Sequence, residues 1–85
     1  MTVSQKRGSI RHDIQEALDD WDISYWNVND YKDSDDRTLT FYVNLANDYD
    51  SDDVEGALES VCDNWGMDSW WDDDDDDCYV LECNY

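Results

Sequence analysis

The chain has no proline, three glycines and only five Lys or Arg residues among its 85. No apolar run approaches the ~20 residues of a membrane span, and the first residues lack the apolar segment of a signal peptide. A cytoplasmic location is therefore expected. Three cysteines, Cys62, Cys78 and Cys83, are an odd number and do not make a disulfide framework. Cys78 and Cys83 lie an odd number of positions apart, so on one strand they point to opposite faces, and reduced, buried thiols are expected. There is no phosphate-cradling glycine loop and no Cys/His metal spacing. The one histidine, His12, falls on the exposed side of a helical segment, and Cys62 sits among acids, which dull a thiol as a nucleophile. The chain does not read as an enzyme, and no cofactor or metal is expected.

Positive charge is the scarcest property of all. Lys6, Arg7, Arg11, Lys32 and Arg37 are the only basic residues, none occurs from Thr38 to Tyr85, and 24 Asp and Glu bring the formal net charge to -19. Such a charge with low mean hydropathy is the signature of a disordered chain. Against disorder stand five Trp, six Tyr and one Phe, the shortage of Gly and Pro, and clear apolar periodicity. A chain of this length buries only about 60% of its unfolded surface and is marginally stable, by ~5–15 kcal/mol.

The periodicity organises the acid. Residues 1–8 read as a flexible basic tail, and residues 9–85 as a single αββαββ domain. From Ser9, read as the N-cap, Ile10, Ile14, Ala17, Leu18 and Trp21 recur at helical spacing. A strand is expected over Ile23–Val28, an acidic loop over Asp30–Asp36, and a strand over Thr38–Leu45 with Leu39, Phe41, Val43 and Leu45 on one face. A second acidic loop, Asn47–Asp53, precedes a helix with the stripe Val54, Ala57, Leu58, Val61 and Trp65. Asp52 with Glu55 spells a capping box, and Gly66 is placed to end the helix. A short strand, Met67–Trp71, the run Asp72–Asp77 and a last strand, Tyr79–Tyr85, follow.

The halves match. Asp13-Ile14 with Ala17-Leu18 corresponds to Asp53-Val54 with Ala57-Leu58, and Leu39, Phe41 and Val43 to Tyr79, Leu81 and Cys83, forty residues on. Ile23 corresponds to Met67. Neither half buries its helix alone, so the expected fold is α+β: an αββ-αββ tandem repeat forming a four-stranded antiparallel sheet with two helices on one face, in a permuted ferredoxin-like order.

One motif approaches metal-binding chemistry. Asp48, Asp50 and Asp52, with Glu59 eleven positions after Asp48, nearly spell a calcium loop of the EF-hand type. Asp53 replaces the glycine of the sharp turn, Glu55 replaces an apolar residue, and a strand precedes the loop. The spacing is better explained by a helix cap, with weak, unselective attraction for cations.

The run Asp72–Asp77 follows Trp70-Trp71 directly and falls on the second hairpin loop. Two charges ~6 Å apart repel by roughly 0.7 kcal/mol in water, so six in series cost a few kcal/mol before screening. Acidic runs are most often solvated loops. Here 20 Asp stand against 4 Glu, and the shorter side chain holds each carboxylate close to the backbone at a cost in helix propensity. Duplex DNA presents about one negative charge per ~1.7 Å of axis. A scaffold carrying carboxylates on loops and helices offers a similar field and repels nucleic acid itself. Adjacent tryptophans on a strand point to opposite faces, so one stands exposed beside the acid as an interface anchor.

Small size, intense acidity, αβ patterning and the lack of a catalytic constellation resemble the DNA-mimic inhibitors of phages and mobile elements, which include anti-CRISPR and anti-restriction proteins. The resemblance is one of general character over the whole chain. It implies a partner-binding surface made of Asp30, Asp33, Asp35, Asp36, Asp48, Asp50, Asp52, Asp53, Trp71, Asp72, Asp73, Asp74, Asp75, Asp76 and Asp77. The implied activity, in the cytoplasm of a host cell, is to block the DNA-binding channel or PAM-reading site of a CRISPR effector complex or another basic nucleic-acid-binding protein. No direct contact with nucleic acid or membrane is implied, and homodimerisation is left open. Two other readings fit the composition: halophilic adaptation unrelated to function, and an antitoxin or immunity protein that neutralises a basic nuclease.

Overall fold

The computed structural model describes residues 2–46 and 48–85. Met1 of the expected tail and Asn47 of the expected second loop lie outside the described residues. The elements run α1 (Val3–Asp20), β1 (Tyr25–Asp33), β2 (Thr38–Leu45), α2 (Ser51–Trp65), β3 (Asp68–Trp71) and β4 (Cys78–Asn84). The fold is α+β, with one antiparallel sheet in the order β1-β2-β4-β3. That is the order a ferredoxin-like sheet takes when its first strand is moved to the end of the chain.

Segment 3–8 is helical, which corrects the expectation of a flexible basic tail. Thr2 is the N-cap: its hydroxyl accepts from the Gln5 amide at 3.1 Å, and the Gln5 side chain accepts from the Thr2 amide at 2.9 Å. This reciprocal box satisfies two amides that a helix start otherwise leaves unpaired. Ser9 therefore lies inside α1. The added turns are held by Val3 against the core, by Lys6 Nζ donating to the Asn84 carbonyl at 2.9 Å, and by Arg7 and Arg11 on Asp30.

Both helices close in the same way. The Ile23 amide donates to Leu18 O and the Met67 amide to Cys62 O, each at 2.9 Å, after a left-handed residue: Asp22 (φ 59) in one case and Gly66 (φ 63) in the other. This six-to-one closure seats an apolar residue, Ile23 or Met67, back in the core. Trp21, expected on the buried stripe, is instead the C-cap of α1 and half exposed. Its indole lies over Gly56, where a Cβ would meet the ring at 3.0 Å. At its other end α2 is capped by Asp50, not Asp52, whose amide donates to Asp50 Oδ1 at 2.9 Å.

The two helices and one sheet face share a single core: Ile10, Ile14 and Leu18 of α1, Val54, Leu58 and Val61 of α2, and Leu39, Phe41, Val43 and Leu81 of the central strands, all 3% exposed or less. Trp65 Nε1 donates to Asp13 at 2.8 Å, tying α2 to α1. β1 is longer than expected, because Asn27–Asp33 pairs with β2 through Asp33↔Thr38. Asp30 and Asp33 are thus strand residues, not loop residues. No helix among the described residues is long and apolar enough to cross a membrane.

Candidate functional site

Antiparallel pairing of β2 with β4 decides where the acid goes. Thr38 faces Asn84 and Asn44 faces Cys78, so the β1–β2 turn and the β3–β4 loop lie at opposite ends of a strand roughly 24 Å long. The three acidic segments therefore do not form one surface. Asp48, Asp50, Asp52 and Asp53 meet Asp72–Asp77 at one end. Asp33, Asp35 and Asp36 are at the other, and Asp30, paired with Phe41, lies midway along the sheet.

At the first end the two segments are locked together. The Leu45 amide donates to Asp77 O at 2.8 Å, and the Tyr49 hydroxyl to Asp76 O at 2.8 Å. Ala46 N donates to Ser24 O at 3.1 Å, bringing in the α1–β1 connection with Asp22. The aspartate run is folded by its own side chains. Asp72 Oδ1 accepts from the Asp74 amide at 2.9 Å and Asp75 Oδ1 from the Asp77 amide at 3.0 Å. The backbone closes through Asp72 N to Cys78 O at 2.9 Å and Cys78 N to Asp75 O at 3.1 Å. The short Asp side chain reaches the amide two residues on, which the longer Glu overreaches. Asp33, accepting from Asp35 N and Asp36 N, and Asp50, accepting from Asp52 N, repeat the pattern. The preference for Asp over Glu thus has a structural cause at four turns.

All five cations lie away from this end, at mid-sheet or beyond it, and are engaged within the fold. Arg7 and Arg11 both pair with Asp30, Lys6 holds the Asn84 carbonyl, and Lys32 and Arg37 lie over the Tyr85 ring at 5.5 and 5.7 Å. Asp30 is consequently a neutralised, partly buried carboxylate, poorly suited to receive an outside cation. Asp33 is committed to its turn, and Asp35 and Asp36 sit beside Arg37. Among the described residues, no Lys or Arg pairs with any carboxylate of the 48–53 or 72–77 segments.

Trp71 is not the exposed anchor. It is half buried, stacked on Tyr49 with centroids 5.7 Å apart and tilted against Tyr79 at 4.7 Å, and its indole N–H donates to Glu55 at 2.9 Å. This bond also engages the Glu55 carboxylate that the expected capping box assigned to the start of α2. Trp71 faces the helices because it pairs with core-facing Tyr79, which turns Trp70 outward. Sequence reasoning missed three other exposed aromatics: Trp26 (71% exposed), Tyr31 and Trp21. Trp26 stands at an irregularity in β1 between Tyr25 and Asn27, a feature that strand alternation alone conceals.

The surrounding charge acts on buried groups. Burial, with the Asp72 and Asp75 carboxylates, pushes the Cys78 thiol from 9.0 up to about 11. Burial, then the Asp77 carboxylate and the charges of Asp76 and Asp75, raise the Tyr49 phenol. Burial likewise raises Cys62 and Cys83. All three cysteines are free and buried, and with raised pKa values they are unreactive thiols. No group of His, Cys, Asp and Glu among the described residues is arranged to hold a metal ion. No protein-family model, curated protein or solved structure matches the chain.

Proposed function

We propose that this protein is an acidic mimic of nucleic acid that inhibits a basic nucleic-acid-binding protein of a host defence system, in first place a CRISPR effector, by occupying its DNA channel or PAM-reading site. The observation that carries this reading is the cation-free end, where the Tyr49 hydroxyl ties Asp48–Asp53 to Asp76 O, Leu45 of β2 holds Asp77 O beside it, and Asp72–Asp77 is folded by its own side chains. A net charge of -19 along a 35 Å long axis is about one charge per ~1.8 Å, close to the ~1.7 Å of a DNA duplex. Carboxylates pinned through Asx turns keep their spacing, as phosphates on a duplex do. Halophilic adaptation gives no reason to leave one end of the sheet without a paired cation.

The test is competition. Purified effector complexes are loaded with a PAM-bearing duplex and titrated with the protein at fixed salt. Mutual displacement is expected, with an affinity that falls steeply as salt rises. Simultaneous binding of duplex and protein without loss of either overturns the reading.

A further inference from the structure

The sheet face turned away from the helices has a composition of its own. Register places Trp70, Val80 and Tyr42 side by side across β3, β4 and β2, and Asp68, Glu82 and Thr40 in the next row. Val80 is 2% exposed yet lies outside the helix-side core, flanked by Trp70 and Tyr42. Trp70 itself is 44% exposed. Asp68 and Glu82 are direct cross-strand partners, and like charges so placed destabilise a sheet. Among the described residues neither pairs with a cation. The buried Thr40 hydroxyl donates to Glu82 Oε2 at 3.1 Å, which orients that carboxylate.

We infer that this open face is an arginine-recognition surface. A guanidinium of a basic protein partner lies against the Trp70 indole and donates paired hydrogen bonds to Glu82, while Asp68 adds a second negative charge. Trp70 and Glu82 are diagonal neighbours, roughly 7–8 Å apart in such a ladder, a gap that one guanidinium bridges. Arginine fits better than lysine because its planar fork both stacks on an aromatic and pairs with a carboxylate. Aromatic sheet faces elsewhere stack nucleic-acid bases, but phosphates beside Asp68 and Glu82 are repelled, and so is a second copy of a chain of charge -19. The inference rests on the reading that the partner is a basic protein, and adds a second contact surface and the side chain it takes.

The test titrates the full-length chain with a hexa-arginine peptide, a hexalysine peptide and an oligothymidine at one ionic strength, followed by tryptophan fluorescence and calorimetry. Hexa-arginine is expected to bind about three- to fivefold tighter than hexalysine. Glu82→Gln and Trp70→Ala should each remove most of that preference. Because Trp70→Ala uncovers Val80, its melting is followed alongside, and the isosteric Glu82→Gln carries the test if it unfolds. Changing Asp72–Asp77 to Asn should weaken both peptides alike and leave their ratio intact. Equal binding of the two peptides, a ratio that survives Glu82→Gln, or oligothymidine binding as tight as hexa-arginine overturns the inference. Loss of the ratio with a full response to the Asp72–Asp77 change removes the arginine face and leaves the acidic end. An intact ratio with no response to that change does the reverse.

Discussion

The Tyr49 hydroxyl donates to the Asp76 carbonyl at 2.8 Å, joining the segment that leads into α2 to the loop between β3 and β4. This bond and the Leu45–Asp77 bond beside it are what make two acidic loops one surface. Tyr49→Phe keeps the stack on Trp71 and removes only the hydroxyl, so a loss of about 1 kcal/mol is expected. Amide exchange at Leu45 should quicken about fivefold, the factor that 1 kcal/mol represents. Unchanged protection at Leu45 would show that the hydroxyl does not hold the loop.

Charge and geometry can be separated at Asp75. Asn keeps an oxygen at the same reach for the Asp77 amide and removes a charge, so Asp75→Asn should leave stability unchanged or raise it. Asp75→Glu keeps the charge but overreaches the amide, and should cost about 1 kcal/mol. Urea melts of the two variants give the comparison. If Glu is tolerated as well as Asn, the Asx turn contributes nothing.

At the two helix ends the same closure uses different residues. Asp22 holds a left-handed backbone at φ 59 where Gly66 holds φ 63. Asp22→Gly should stabilise by about 0.5–1 kcal/mol, and Gly66→Ala should destabilise by about 1 kcal/mol. Opposite shifts in Tm are the expected outcome, and shifts of the same sign would contradict it.

Alkaline pH should unfold the protein early. Cys78, Tyr49 and Tyr79 all have raised pKa values, with burial as the first cause of each. A raised value means that between the unfolded and folded pKa the native state binds more protons than the unfolded one, so stability falls as pH rises. The contribution is complete below about pH 9 and disappears by about pH 11 for Cys78. That interval corresponds to on the order of 2–3 kcal/mol for this thiol. Denaturant melts at pH 7, 9, 10 and 11 should show the fall, and Cys78→Ala should flatten it. A flat profile in the parent protein would refute the assignment.

Salt should act in the opposite sense. With a net charge of -19, self-repulsion is screened as the Debye length shortens to about 10 Å at 0.1 M, so Tm should rise from low to physiological salt. The rise should shrink when Asp72–Asp77 become Asn. A protein that folds only in molar salt would favour halophilic adaptation.

Much of the fold is legible in the residues because burial imposes a period. Leu39, Phe41, Val43 and Leu45 alternate as a half-buried strand must, and all are buried. The run Asp72–Asp77 falls between β3 and β4, where a block of turn-forming residues between two apolar segments belongs. What was not legible depends on partners distant in sequence. The first turns of α1 carry few apolar residues and are stabilised by Asn84 and Asp30, so Gly8-Ser9 reads as a helix start. Alternation places Trp70 and Trp71 on opposite faces, but only pairing with Val80 and Tyr79 says which turns outward. The grouping of the acidic loops depends on the antiparallel sense of β2 and β4, which no local pattern carries.

That strand sense has a kinetic consequence. With Lys32 and Arg37 beside Tyr85, Arg7 and Arg11 at mid-sheet and no Lys or Arg paired at the Asp72–Asp77 end among the described residues, charge is distributed unevenly along the sheet. In the field of a positively charged cleft the molecule experiences a torque before any contact forms, and it turns acid end first while still diffusing. Encounter is then selected for one orientation, and association gains in rate where randomly oriented collisions would mostly fail.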